Sequence, residues 1–169
     1  MFARITTSQK LLRAAAILKI PVYATTQNRP RLGETCAELD LSKAVEHVDK
    51  TAFSMWVPEI SRHFEDQKAE IAIVGIESHI CVTQTALDAL RNGHEVYIIA
   101  DGVSSCNREE VGIALDRLRK EGAVVTSSES WMYEVIGDAG IQEFKQIASL
   151  VKEESGRTKE ALKALGSKI

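Results

Sequence analysis

The stretch with the clearest chemical potential places a cysteine where a buried strand turns into a helix. Residues 70–76 (EIAIVGI) form a nearly continuous apolar run, which is typical of a strand buried on both faces. A short turn over residues 77–79 leads to a helix predicted over 80–92, so Cys81 lies in its first turn. The helix dipole and unpaired backbone N–H groups there favour a thiolate and can hold an oxyanion. Cys81 is therefore a candidate nucleophile; the alternative is a small side chain of the core.

The elements that would position this cysteine alternate between helices and strands. Helical spacing of apolar residues predicts helices, and short apolar runs bounded by turn residues predict strands. The helices are predicted over residues 5–18, 57–66, 80–92, 108–121, 128–137 and 141–153. The strands are predicted over residues 21–26, 70–76, 95–101 and 123–127. Residues 27–50 are polar and irregular, so we expect the longest loop there.

This alternation predicts an α/β protein with a mostly parallel sheet. Right-handed crossovers place helices on both faces, which gives a three-layer α/β/α Rossmann-like sandwich. Ligands of such sheets bind beyond the carboxyl ends of the strands, here after Ile76, Ala100 and Thr126. The 169 residues suffice for one domain, which we assign to residues 1–153. Residues 154–169 are interpreted as a polar C-terminal tail.

Composition limits the partners and the compartment. Lys plus Arg total 21 and Asp plus Glu total 24, giving a net charge of −3. No nucleic-acid or membrane partner is expected, because there is no basic excess and no apolar run near the ~20 residues of a membrane span. Cys36, Cys81 and Cys106 are odd in number and form no CxxC, which fits free thiols in a reducing compartment. Cytoplasm is the predicted location; the mildly basic, hydroxyl-rich start leaves mitochondrial targeting as an alternative.

The cysteine segment is also similar to a known motif. Residues 75–88 (GIESHICVTQTALD) resemble the nucleophile motif of the isochorismatase-like cysteine hydrolases, a family that includes nicotinamidases. Three further segments resemble that family in the same chain order. They are residues 21–27 (PVYATTQ), 49–54 (DKTAFS) and 101–105 (DGVSS). The resemblance covers about residues 5–150 and is greatest to small isochorismatase-domain proteins.

The resemblance implies roles for particular residues. Cys81 matches the nucleophile, and Lys50 matches the lysine that stabilises negative charge beside it. The family has a cis peptide that falls here between Ile76 and Glu77, and it aims the N–H groups of Glu77 and Cys81 at one oxygen as an oxyanion hole. The implied reaction is attack by the Cys81 sulfur, followed by hydrolysis of the covalent intermediate. A homo-oligomer is expected because such assemblies are common in the family.

The sequence departs from the family at its start. The family's first strand ends in the triad aspartate and lies in the middle of a sheet of order 3-2-1-4-5-6; no such segment precedes the helix at residues 5–18. Strands 21–26 and 70–76 would then lack a neighbour. They could pair directly, another chain could fill the gap, or the sequence could be incomplete, which is the interpretation we favour. Asp40 does not match the motif and is predicted to be a surface or capping residue.

Further residues are candidates for the substrate pocket. His79 lies near Cys81, Phe53 and Trp56 follow Lys50, and Gln27 follows a strand end. The alternatives are a polar turn residue for His79 and core packing for the two aromatic side chains. No metal is predicted, because nicotinamidases bind theirs through residues after the triad aspartate, and no other cofactor is indicated.

Three hypotheses about function differ in kind. The first is a cysteine hydrolase acting on a small-molecule amide, ester or vinyl ether, with activity in doubt because the triad aspartate is absent. The alternative is a catalytically inactive member that serves as a binding or scaffold protein. A nucleotide-binding Rossmann domain is disfavoured, because no GxGxxG follows a predicted strand.

Overall fold

The computed structural model describes residues 2–166, and for residues 2–4 and 166 it describes the backbone alone. Helices and strands alternate along the chain, as the sequence predicts. The helices are α1 (Phe2–Leu18), α2 (Arg29–Leu32), α3 (Pro58–Ser61), a π-helical turn (Ser78–Val82), α4 (Thr83–Arg91), α5 (Glu109–Lys120), α6 (Ser128–Ile136) and α7 (Phe144–Gly166). The strands are β1 (Tyr23–Gln27), β2 (Glu46–Lys50), β3 (Glu70–Ile76), β4 (Glu95–Ser104) and β5 (Val124–Thr126).

The strands form two parallel sheets. Strands β1 and β2 pair with Gln27 opposite Lys50. The second sheet has the order β3-β4-β5, with Ile73 opposite Ile98 and Tyr97 opposite Val124. Between residues 2 and 166 no ladder joins β1 to β3. Direct pairing of these two strands, one of the three alternatives, is therefore not what the structure adopts.

The central strand β4 separates two layers of helices. Val96, Ile98 and Ala100 pack in one buried cluster with apolar side chains of α4 and α5. Tyr97 and Ile99 point the other way, into a cluster built from α1, α6 and α7. Successive side chains of a strand alternate between faces, so one strand serves both cores. The predicted three-layer α/β/α sandwich is confirmed.

The prediction that β3 is buried on both faces is wrong. Of its seven residues only Ile73 is buried, and the side chain of Ile76 is 67% exposed. The reason lies in the neighbouring elements, because β3 has β4 on one side and no hydrogen-bonded strand on the other among the described residues. An apolar run predicts a buried strand only when both of its neighbours are present.

Two further predictions need correction. Residues 27–50 are not one irregular loop, since they contain α2 and the strand β2, whose sequence EHVDK is too polar to indicate a strand. The helix predicted over 57–66 is confined to Pro58–Ser61.

The C-terminal helix extends further than predicted. Helix α7 continues without a break from Phe144 to Gly166, so the secondary structure has no boundary at residue 154. Glu154, Thr158 and Ala161 are buried although the sequence there is polar. The buried Lys10 of α1 donates to the Thr158 hydroxyl at 2.7 Å, which ties the two helices together. The last part of the predicted tail, residues 167–169, lies outside the described residues.

Candidate active site

Cys81 lies in the π-helical turn that connects β3 to α4. The turn is defined by a bond from the Val82 N–H to the Glu77 carbonyl oxygen, 3.1 Å and five residues apart, and α4 begins only at Thr83. The predicted α-helical start at Cys81 is thus a wider turn. The peptide bond between Ile76 and Glu77 is cis, as the resemblance implies. The Cys81 side chain is partly exposed, as access to a small molecule requires.

Lys50 ends β2 and is buried, with 7% of its surface exposed. Its Nζ donates to Gln27 Oε1 at 2.6 Å, to the Ala52 carbonyl oxygen at 2.9 Å and to the Phe53 carbonyl oxygen at 3.0 Å. An ammonium group has three N–H donors, so these neutral oxygens use all of them. The cation is therefore held by dipoles rather than by a carboxylate.

The structure brings Lys50 and Cys81 close enough to interact electrostatically. Burial lowers the pKa of Lys50, because a charged amine loses hydration in the protein interior. The negative charge that Cys81 and Asp49 can carry raises the same pKa and offsets part of this effect. A cation beside a thiol stabilises the thiolate, which is the nucleophilic form.

Gln27 supports Lys50 through both ends of its amide. Its Oε1 accepts from the Lys50 ammonium, while its Nε2 donates to the Thr51 carbonyl oxygen at 2.8 Å. The parallel register places Gln27 directly opposite Lys50, which explains why the contact forms. Both polar ends of the side chain are thus engaged by the chain itself, although the sequence pointed to a pocket residue.

The two aromatic candidates lie in different surroundings. Phe53 is 52% exposed at the surface of the loop that follows Lys50. Trp56 packs against the buried cluster of α4 and α5, and its ring centroid lies 5.4 Å from that of Phe64 and 5.1 Å from that of His94. Phe53 is placed where it could meet a ligand, whereas Trp56 mainly joins the loop to the core.

His79 faces the chain segment that follows β4. Its Nδ1 lies 2.9 Å from the Ser105 hydroxyl oxygen, which also accepts a bond from the Ser78 N–H at 3.1 Å. The Glu77 carboxylate accepts from the Cys106 N–H at 2.6 Å. These contacts attach the cis-peptide turn to the segment that follows β4. Sequence pattern indicates Ser105 only within the motif at residues 101–105, because its bonds to Ser78 and His79 depend on how β3 and β4 pair.

Asp49 and Asp40 are each engaged in local hydrogen bonds. Asp49 Oδ1 accepts from the Thr26 hydroxyl and from the Arg29 N–H, each at 2.9 Å, and these bonds lower its pKa. Asp49 thereby anchors α2 to β2. Asp40 is exposed and accepts from the Ser42 N–H at 3.0 Å, so it caps a turn as the sequence indicated.

Residues 2–166 contain neither a metal-binding cluster nor a membrane-spanning helix. Within that range no three His, Cys, Asp or Glu side chains are grouped so that they could hold a metal ion. Likewise, no helix in the described part of the chain has the length and apolar character to cross a bilayer.

Comparison with known proteins identifies the family. Residues 3–130 match the isochorismatase domain. The chain belongs to the isochorismatase family. It is 42% identical over 150 residues to the secreted isochorismatase effector Isc1 of Phytophthora sojae, an alignment that covers 85% of this chain and 71% of that protein. It is 39% identical over 150 residues to isochorismatase domain-containing protein 1 of Salmo salar, and this alignment covers 88% of this chain and 53% of that protein.

A solved structure supports the same assignment for this isochorismatase-family chain. The MAR1 ribonuclease of Caenorhabditis elegans superposes with a TM-score of 0.83 at 34% identity, over 88% of this chain and 78% of that one. The chain thus spans about half the length of the salmon relative and roughly three quarters of the other two. The fold and family are shared, whereas the activity of those whole proteins is not thereby assigned to this one.

Proposed function

We propose that this protein is a hydrolase that uses Cys81 as its nucleophile on a small amide, ester or vinyl ether. The observation that carries the proposal is the partly exposed Cys81 thiol within electrostatic reach of the buried Lys50 ammonium. Family membership supports a hydrolase. A thiolate formed beside a cation is reactive at neutral pH, which acyl transfer requires.

The proposed reaction on an amide or ester proceeds in two steps. The Cys81 sulfur bonds to the carbonyl carbon, and the displaced electron pair moves to the carbonyl oxygen. The backbone N–H groups of Glu77 and Cys81 stabilise that oxyanion. The carbon–nitrogen or carbon–oxygen bond then breaks, the leaving group takes a proton from water, and a second water molecule hydrolyses the thioester. Lys50 stabilises the thiolate before attack and after release. Phe53 and His79 are proposed to contact the substrate, with Gln27 and Trp56 behind them.

A specific observation favours a second candidate, an inactive member that binds a small molecule without turning it over. The Lys50 ammonium is bonded to three neutral oxygens, and the Asp40 and Asp49 carboxylates accept from the backbone N–H groups of Ser42 and Arg29. If neither carboxylate takes the proton, the thiolate forms by loss of its proton to solvent. The two candidates therefore differ in turnover rather than in the fold.

Hydrolysis of a substrate panel tests the proposal. Nitrophenyl esters, primary amides with ammonia detection, and a vinyl ether are incubated with the wild-type protein and with Cys81→Ala. We expect turnover that disappears in Cys81→Ala and survives in Cys36→Ala and Cys106→Ala, whose thiols are exposed and separate in sequence. Activity that persists in Cys81→Ala contradicts the nucleophile. Binding without turnover in every variant favours the inactive candidate.

A short single-stranded RNA belongs in the same panel, because the similar Caenorhabditis elegans protein is described as a ribonuclease. The net charge of −3 favours a small molecule, since proteins that bind nucleic acid rely on basic surface. If the protein cleaves RNA and the cleavage requires Cys81, RNA replaces the small molecule as the proposed substrate. Cys81 then remains the proposed nucleophile.

We further propose a homo-oligomer located in the cytoplasm, with mitochondria as the second location. Light scattering of the purified chain tests the first statement, and fractionation of cells that express a tagged chain tests the second. The relative from Phytophthora sojae is described as secreted, so recovery from the medium would overturn the cytoplasmic location.

A further inference from the structure

The two proposed reactive groups stand on different sheets. Lys50 ends β2 of the two-stranded sheet, whereas Cys81 follows β3 of the three-stranded sheet. Since no strand ladder connects the sheets within residues 2–166, backbone pairing does not set the separation between amine and thiol. That separation depends on contacts between the loop after Lys50 and the elements around Cys81.

One side chain joins this loop directly to the cysteine turn. The Thr85 hydroxyl accepts a hydrogen bond from the Met55 N–H at 2.9 Å and donates one to the Cys81 carbonyl oxygen at 2.7 Å. The residue is 5% exposed, so water does not readily replace either bond. We propose that Thr85 is a positioning residue that sets the distance between the Lys50 amine and the Cys81 thiol.

The linkage continues from Met55 to the amine itself. Met55 lies two residues after Phe53, and the carbonyl oxygens of Ala52 and Phe53 are two of the three acceptors of the Lys50 ammonium. Residues 51–53 are exposed, whereas Met55 is half-buried. Thr85 thus anchors the half-buried end of the loop, and the carbonyl groups that hold the amine lie at its other end. Loss of that anchor lets the acceptors shift. Shifts of about 1 Å in a reactive geometry cost up to ~10²-fold in rate.

Thr83 provides a matched control in the same helix. It is 3% exposed, and its hydroxyl donates to the Ser78 carbonyl oxygen at 2.6 Å, as the hydroxyl of Thr85 does to Cys81. Such bonds to a carbonyl one turn earlier are common for threonine in helices. The bond that distinguishes Thr85 is the one it accepts from the loop. Valine at either position preserves shape and removes the hydroxyl, whereas serine retains it.

The inference rests on the proposed nucleophile, so the test uses thiol chemistry and needs no substrate. The rate of Cys81 alkylation by iodoacetamide is measured between pH 6 and 9 in a Cys36→Ala, Cys106→Ala background. We compare three variants, Thr85→Val, Thr85→Ser and Thr83→Val. Each is made both with the native Lys50 and together with Lys50→Met. Circular dichroism at each pH establishes that every variant is folded.

We expect Lys50→Met and Thr85→Val each to slow alkylation at neutral pH by roughly tenfold. Thr85→Ser should restore the rate, and Thr83→Val should change it less than about twofold, because the loop keeps its anchor. In the Lys50→Met background Thr85→Val should have no further effect, since Thr85 acts through the amine. The inference would be overturned if Thr85→Val and Thr83→Val slowed alkylation equally, or if Thr85→Val slowed it just as much in the Lys50→Met background. Neither result would contradict Cys81 as the nucleophile. If Lys50→Met leaves the rate unchanged and the panel shows no turnover, the proposed function fails as well.

Discussion

The two sheets of this protein are stabilised in different ways. In the three-stranded sheet every residue of β4 from Val96 to Ser104 is buried, between two layers of helices. In the two-stranded sheet only Thr26 and Lys50 are buried, and both side chains are polar. The first sheet is fixed by dense apolar packing, whereas the second depends on a few directional contacts.

This difference bears on how the site is built. The cysteine turn is attached to the half of the molecule with the larger apolar core, and the lysine to the half that has less buried surface. Besides Thr85, an aromatic cluster connects the halves. It consists of Tyr23, Trp56, His63, Phe64 and His94, with ring centroids 5.1 to 5.8 Å apart. The position of the lysine should therefore be easier to perturb than that of the cysteine.

A pair of substitutions tests the contrast in stability directly. Leu118 of α5 is fully buried in the core of the larger sheet, and Leu118→Ala should lower the free energy of unfolding by about 2–5 kcal/mol. Val48 of β2 is half-buried, so Val48→Ala should cost less than about 1.5 kcal/mol. Urea unfolding followed by circular dichroism measures both. Equal losses would mean that the smaller sheet has an apolar core of comparable strength.

The aromatic cluster is the next target. Phe64 contacts the rings of Tyr23, Trp56 and His94, so it bridges β1 to the start of β4. Phe64→Leu keeps an apolar side chain and removes these ring contacts, which should cost about 1–3 kcal/mol. Hydrogen exchange should accelerate in β1 and β2 and remain slow in β4. Uniform acceleration in all three strands would show that the sheets unfold as one unit.

The sequence predicted the half of the site that depends on local pattern. The strand β3, the turn and Cys81 lie together in one segment, so their order alone indicates a nucleophile at the carboxyl edge of the sheet. The resemblance supplied Lys50 and the cis peptide at Ile76. The π-helical turn differs from an α-helical start by one residue in its hydrogen-bond register, a difference that side-chain pattern does not encode.

The other half required tertiary contacts that no single segment contains. Strand β2 is a polar sequence that becomes a strand only because β1 pairs with it, and strand propensity depends strongly on such context. The bond between Gln27 and Lys50 follows from that register. The link through Thr85 had a partial signal, since a hydroxyl four residues after Cys81 faces the same turn, but its bond to Met55 requires the folded loop.

Substitutions at Gln27 should shift the pKa of Lys50 in either direction. Burial lowers the pKa of Lys50, and the Gln27 oxygen at 2.6 Å favours the charged form. Gln27→Met removes that acceptor and should lower the pKa further. Gln27→Glu places a carboxylate at the same point and should raise it. Titration of the Nζ resonance in ¹⁵N-lysine-labelled protein measures both, and shifts in the same direction for the two variants would contradict the hydrogen-bonding role.

The smallest expected effect concerns His94, which lies where the aromatic cluster meets β4. Its side chain is buried, its Nδ1 accepts from the Ala69 N–H at 3.2 Å, and burial lowers its pKa. Above the pKa of the unfolded chain, ~6.5, both states are neutral and stability is unaffected. As pH falls below that value, the unfolded chain binds a proton that the folded protein excludes, so stability decreases.

His94→Asn isolates this contribution, because Oδ1 can accept from the Ala69 N–H and an amide does not titrate. Urea midpoints at pH 7.5 and 5.5 should differ less in His94→Asn than in the wild-type protein. His47→Asn serves as the control, since His47 is exposed at the surface. If both variants have the wild-type dependence, protonation of His94 does not limit the contact between the two sheets.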